Sequence, residues 1–189
     1  MVVRGVPDRG ITLAAIGRKG NLYMSKVPPV LGVANPAFTQ QAPAFAAQLA
    51  RIEVDADTGE VTLHDFVVVQ DAGKAINPLG VEGQMQGGAV QSLGMALTEG
   101  LMYDDKGRLM NASLLDYRKL TAADLPNIET IIVEKPSPAG PFGARGVGEP
   151  PIVPAPAAIA NAIEDATGIR LTELPMTPER IALAIAARR

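Results

Sequence analysis

The chain has 189 residues, 47% of them hydrophobic and 20% charged, with a formal net charge of -3, one histidine and no cysteine. That length can support a core, the scattered lysines and arginines give no electrostatic footprint for nucleic acid, and the missing cysteines exclude disulfides and thiolate-held iron–sulfur clusters. A lone His64 builds no zinc site, no apolar run reaches the ~18 residues of a membrane span, and residues 1–20 lack a secretory signal, so the expectation is a cytoplasmic chain without metal-ligating side chains.

Pro7-Asp8-Arg9-Gly10 reads as a turn, and Ile11 to Lys19 as a short helix closed by Gly20. Proline and small residues without periodicity from Pro28 to Pro43 predict an extended arm. Residues 1–44 are therefore expected to form an N-terminal segment and arm, ahead of a larger region at 45–189. In Phe45 to Val54 the run Ala50-Arg51-Ile52-Glu53-Val54 alternates apolar and polar. Asp55-Ala56-Asp57-Thr58-Gly59 turns the chain into a second strand from Val61 to Val69, which completes a hairpin. His64 on that strand reads as a structural or surface histidine.

Asp71 to Pro78 leaves the sheet, and Val81 to Leu101, free of proline, predicts a helix. Gly83, Gly87 and Gly94 lie on one side of it, each costing ~1 kcal/mol relative to alanine, so something should approach closely there. Tight packing is one reading and a ligand the other. Gln84 and Gln91, two helical turns apart, point the same way, either into solvent or as a polar wall beside a ligand.

Tyr103 to Arg108 is a hairpin turn, Ile128 to Glu134 a strand, and Pro136 to Arg145 irregular. Pro154 to Thr167 forms a helix with its prolines in the first turn and Gly168 at its end, and a last helix starts at Thr177-Pro178-Glu179. The succession predicts an α+β fold of mostly antiparallel sheets covered by helices, in two sheet-plus-helix lobes dividing near residues 104–110.

Chemistry concentrates at Gly143-Ala144-Arg145-Gly146-Val147-Gly148-Glu149-Pro150-Pro151. A glutamate between glycine and two prolines sits on stiffened backbone whose neighbours add no bulk, which is how a carboxylate is presented to a ligand. The plainer alternative is a glutamate near a helix N-terminus, favoured by the macrodipole.

Gly146-Val147-Gly148-Glu149-Pro150-Pro151, followed by Pro154 to Ile163, resembles the segment that carries the active-site glutamate of molybdenum hydroxylases, the xanthine dehydrogenase and aldehyde oxidase family. Asp71-Ala72-Gly73, Asn77-Pro78, Gly83-Gln84, Gly87-Gly88 and Gln91 resemble that family's helix whose glutamine contacts the pterin. Asp116-Tyr117-Arg118 with Thr121 to Pro126 lies in the expected order between them. Ser92 departs from the pattern, since glycine usually follows the glutamine at this point, and Lys119 interrupts a stretch that often has Leu-Pro.

The resemblance implies a molybdopterin cofactor, with or without a cytosine dinucleotide extension, whose metal is held by the pterin rather than by protein. It implies that Glu149 is the general base toward a molybdenum-bound hydroxyl attacking an electrophilic carbon of a small-molecule substrate, with Gln84 and Gly148 against the cofactor. The remaining lobes of a longer molybdenum subunit, and iron–sulfur and FAD-carrying partner chains or domains, are also implied. The chain by itself is expected to be inactive, and no nucleic acid or membrane partner is expected. The rival readings are a non-catalytic assembly module of a multi-subunit oxidoreductase and, third, a nucleotide-binding module, which lacks the residue order of a phosphate loop.

Overall fold

The computed structural model describes residues 2–35 and 40–188, and the chain parts into two compact units, residues 1–39 and 40–189. In the first unit β1 (Val2–Val3) and β2 (Val6–Gly10) pair antiparallel, followed by α1 (Leu13–Gly20). Pro7-Asp8-Arg9-Gly10 thus lies within a strand rather than a turn; the reversal comes earlier, at Arg4-Gly5, where glycine supplies the positive φ of +84°. Thr12 caps α1 by accepting from the Ala15 amide at 3.1 Å. Residues 28–35 have neither helix nor strand, and the rest of the expected arm includes residues 36–39, outside the described residues.

The second unit is built on the predicted hairpin. β3 (Phe45–Val54) pairs antiparallel with β4 (Val61–Asp71), and Asp55 accepts from the Asp57 and Thr58 amides to fix the turn. Pairing slips by one residue between Arg51, opposite Asp65, and Ile52, opposite Leu63. His64 is the extra residue of this bulge, so Leu63 and Phe66 both face the core while His64 and Asp65 stay outside. There His64 Nε2 lies 3.2 Å from Glu53 Oε2, at the surface.

α2 (Pro78–Leu97) begins earlier than its apolar periodicity suggests, because Asn77 caps the Gly80 amide and Pro78 fits the first helical position. It also ends before Leu101, where Asn111 takes over the backbone, accepting from the Met102 amide and donating to the Gly100 carbonyl. β5 (Asn127–Val133) then pairs with β4 in parallel, so α2 lies in a crossover between parallel strands. The sheet order is β3-β4-β5, and the turn at 104–110 lies between α2 and β5, so both of its sides supply strands to one sheet. The architecture is α+β, with two of the three strand pairings among the described residues antiparallel.

α3 (Ala155–Thr167) packs on β3 and on α2, and ends at Gly168 in the left-handed conformation. α4 (Pro178–Ala186) starts at Thr177, which caps the Arg180 amide. Phe66, Val68, Met85, Leu93, Ile159, Ile163, Met176 and Ile181 are at most 1% exposed and bring β4, α2, α3 and α4 into one core. Each such side chain contributes about 1.5–3 kcal/mol when fully buried. Among the described residues no helix is long and apolar enough to cross a membrane.

Candidate active site

The segment from Gly143 to Ile152 runs past the ends of the strands, and backbone bonds join it to the exit of β4. The Lys74 amide donates to the Gly143 carbonyl at 2.9 Å, and the Arg145 amide to the Ala72 carbonyl at 2.9 Å. The approach is so close that a Cβ on Gly73, whose φ is +66°, would collide with the Gly143 oxygen. Asp71-Ala72-Gly73 and the glutamate segment, far apart in sequence, are therefore a single piece of structure.

Charge strengthens the junction. Arg145 Nε lies 3.2 Å from Asp71 Oδ2 with only 11% and 14% of the two side chains exposed, within ion-pair reach but not aligned for a linear hydrogen bond. Arg145 also donates to the Pro43 carbonyl, and its guanidinium carbon stands 5.9 Å from the Phe45 ring centroid. Asp71 Oδ1 accepts from the Gly73 amide at 2.8 Å. Nearby, Glu134 takes the Lys74 ammonium and the Ala75 amide, each at 2.8 Å. The Lys74 hydrogen bond first, and then the Ala75 amide, hold its carboxyl below the usual glutamate range.

Three interior side chains reach the same segment. Gln70, fully buried on β4, donates to the Gly146 carbonyl at 3.1 Å; Gln48 on β3 donates to the Pro151 carbonyl at 2.6 Å; and Ser92, fully buried on α2, donates to the Ile152 carbonyl at 2.5 Å. The Ile152 amide closes a turn onto the Glu149 carbonyl at 2.9 Å. Glu149 itself is exposed, and among the described residues its carboxylate has no hydrogen-bond partner. It borders a cleft of about 670 Å³, lined by Ala42, Ala44, Phe45, Gly146, Gly148 and Val153 among others.

α2 brings in the amide expected beside this cleft. A Cβ on Gly148 would stand 3.1 Å from Gln84 Nε2, so Gln84, Gly148 and Glu149 are neighbours. Gln84 is exposed, with its amide free among the described residues. The glycine stripe meets its expectation only at Gly94. Gly83 and Gly87 face open space, Gly94 makes room for the Glu99 carboxylate, and a further close approach occurs off the stripe at Gly88, where a Cβ would stand 3.1 Å from Pro151.

Gln91 is exposed and joins no described contact with the glutamate loop. Tyr117 donates to Glu99 Oε2 at 2.8 Å, while Arg118 lines a different hollow of about 340 Å³ with Lys119 and Asp124. The stretch 116–118 is thus not brought to Glu149. Gln48, Gln70 and Ser92 escaped sequence reasoning because a lone polar residue in a strand or helix carries no periodic signal. Ser92 stood out only as a departure from a glycine. Among the described residues no group of three or more His, Cys, Asp or Glu is placed to hold a metal ion.

A family model for the molybdopterin cofactor-binding domain matches residues 14–126, a range that includes Gln84 and stops before Gly148 and Glu149. The chain is 41% identical over 144 residues to the putative xanthine dehydrogenase molybdenum-binding subunit of Escherichia coli K12, a match covering 76% of this chain and 19% of that protein. It is 36% identical over 144 residues to the aldehyde oxidoreductase of Megalodesulfovibrio gigas, covering 76% of this chain and 15% of that one. Its structure superposes on carbon monoxide dehydrogenase from Oligotropha carboxidovorans with a TM-score of 0.78 at 28% identity, over 100% of this chain and 24% of the other. The chain therefore spans a fifth or less of these two curated relatives, and it belongs to the molybdopterin cofactor-binding domain family, among the molybdenum hydroxylases related to xanthine dehydrogenase and aldehyde oxidoreductase.

Proposed function

We propose that this chain is the C-terminal part, or a split subunit, of a molybdopterin-dependent hydroxylase that oxidises a C–H bond of a small molecule with oxygen derived from water, and that Glu149 is its general base. The observation that carries the reading is a carboxylate unpartnered among the described residues, on a loop tied to β3, β4 and α2, at the rim of a cleft and next to a glutamine amide likewise free among them.

The residues present suit the cofactor. Gly148 leaves its Cα bare, and the Gln84 amide beside it can donate and accept along the edge of a pterin. The metal would need no protein ligand, since the pterin, with or without a cytosine dinucleotide extension, would hold it. When bound, the cofactor supplies the electron-accepting centre of the oxidation.

Glu149 then takes a proton onto its carboxylate from the water-derived nucleophile, which raises that oxygen's reactivity toward an electrophilic carbon. Glutamate has the reach and, on a loop fixed on both sides, the constancy of position that proton transfer requires. In this chain the carboxylate is exposed, so the dry surroundings that strengthen such a base come from the other lobes of a longer molybdenum subunit. Iron–sulfur and flavin centres on partner chains or domains would supply the outlet for the electrons, since a chain without cysteine cannot ligate a cluster by thiolates.

Glu149→Gln in the assembled enzyme tests the assignment. Glutamine keeps size and hydrogen bonding but cannot accept the proton, so kcat should fall ~10²–10⁴-fold, about 3–5 kcal/mol of barrier, with molybdenum content unchanged. Turnover within a few-fold of wild type at matched molybdenum content would remove Glu149 from the chemistry and leave it a helix-end residue.

A further inference from the structure

We propose that Gln70, Gln48 and Ser92 are positioning residues that clamp the glutamate loop from inside the core and thereby fix where the Glu149 carboxylate stands. The proposal rests on the reading of Glu149 as a base; the clamp as a structural object does not.

The three side chains come from three different elements and make the same kind of contact. Each donates to a backbone carbonyl of one short stretch, Gln70 to Gly146 at 3.1 Å, Gln48 to Pro151 at 2.6 Å and Ser92 to Ile152 at 2.5 Å. Gly146 precedes Glu149 and the other two carbonyls follow it, so the glutamate is held from both sides. Pro150 and Pro151 have no amide hydrogen and fixed φ, so this part of the loop can be tied down mainly through its carbonyls, and only donors can do so.

The clamp is also costly where packing alone would not be. Gln70 and Ser92 are fully buried, and the Oε1 atoms of both Gln48 and Gln70 are buried without a hydrogen-bond partner among the described residues. A half-bonded amide in a core is less favourable than methionine or leucine filling the same space. Their donor ends must face the loop because the loop presents oxygen. Gly88 completes the arrangement by letting Pro151 lie against α2, which brings the Ile152 carbonyl within reach of Ser92, one turn further along the helix.

The clamp positions and does not react, because Glu149 lies outside and the three side chains inside. Losing one of them should leave the pterin bound and the fold intact while the carboxylate wanders. Misplacement of a reacting group by about 1 Å can cost on the order of 10²-fold in rate, far more than one hydrogen bond costs in stability.

Ser92→Ala and Gln70→Met are the variants, made in the assembled enzyme with and without Glu149→Gln, with Gln70→Met chosen to keep the core filled if a smaller side chain fails to fold. Hydrogen exchange of the Arg145 and Ile152 amides, bonded to the Ala72 and Glu149 carbonyls, is read by mass spectrometry beside kcat, KM and molybdenum content. Exchange there should quicken about five-fold, the ratio expected from a hydrogen bond of ~1 kcal/mol, while the amides of β3, β4 and α2 keep their protection. Turnover should fall roughly ten-fold or more with KM little changed, and that loss should disappear when Glu149 is already glutamine.

Unchanged exchange in the loop would overturn the clamp. Quickened exchange with undiminished kcat, or with the same loss of kcat in the Glu149→Gln background, would overturn the positioning role. Full turnover of Glu149→Gln alone would instead end the base assignment and the positioning role that depends on it, with the exchange result still deciding whether the loop is clamped.

Discussion

Asp71→Asn is a direct probe of how the glutamate segment is anchored. Asparagine keeps an oxygen for the Gly73 amide, now accepted by Asp71 Oδ1 at 2.8 Å, but replaces the oxygen that lies 3.2 Å from Arg145 Nε with an amide nitrogen. Only 11% of Arg145 and 14% of Asp71 are exposed, so the substitution leaves a largely desolvated guanidinium beside a second donor. Removing one partner of a buried pair typically costs about 3–5 kcal/mol. Arg145 retains the Pro43 carbonyl and the Phe45 ring, which lowers the expectation to about 2–3 kcal/mol. Urea denaturation of wild type and variant at neutral pH measures the difference, and a thermal scan should show a fall of about 5–10 °C. A loss below about 0.5 kcal/mol, the range of a solvent-exposed pair, would refute the claim that this ion pair ties the segment to β4.

Gln84→Ala in the assembled enzyme should lower pterin and molybdenum content more than Gln91→Ala does, because only Gln84 stands beside Gly148; equal metal content in both variants would exclude Gln84 from the cofactor edge. Glu134 offers a pH signature. Its carboxyl titrates below the ordinary range through the Lys74 hydrogen bond and then the Ala75 amide, so the stability it adds is present above the unfolded glutamate pKa and is lost as pH falls through the folded value. Denaturation of wild type and Glu134→Gln should therefore differ most near neutrality and converge in acid, and a gap that widened on acidification would contradict the sign.

Legibility in the sequence follows the range of the interactions. The β3–β4 hairpin, the Gly168 stop of α3 and the Thr177 cap of α4 rest on residues a few positions apart, and all were readable. The bulge at His64 was not, since it is decided by which residues of β3 lie opposite. The same limit hid the parallel pairing of β5, which depends on where α2 returns the chain. Gly143 to Pro151 was conspicuous by composition, and Gly83-Gln84 by its place on a glycine-rich helix. Their adjacency is a tertiary fact that local spacing cannot express. The stripe expectation held at Gly94 but missed Gly88 for a related reason: helical geometry identifies residues that share a face, not which of them a distant loop packs against.

The crossover between β4 and β5 also has a bearing on how the molecule assembles. Asp65 pairs with Asn127, so β5 joins its neighbour only after the intervening chain, α2 included, has been brought round, while the β3–β4 hairpin closes over a short turn. Closing the longer loop costs more entropy and slows the step that depends on it. The glutamate loop comes later still, because its anchors belong to β3, β4 and α2 and exist as a set only when those elements have met. Pulse-labelled hydrogen exchange during refolding should find the hairpin protected first and the Arg145 and Ile152 amides last. A fold ordered in this way builds its scaffold before it sets the Glu149 carboxylate in a defined place, so mild destabilisation would loosen the glutamate loop before it unravelled the sheet.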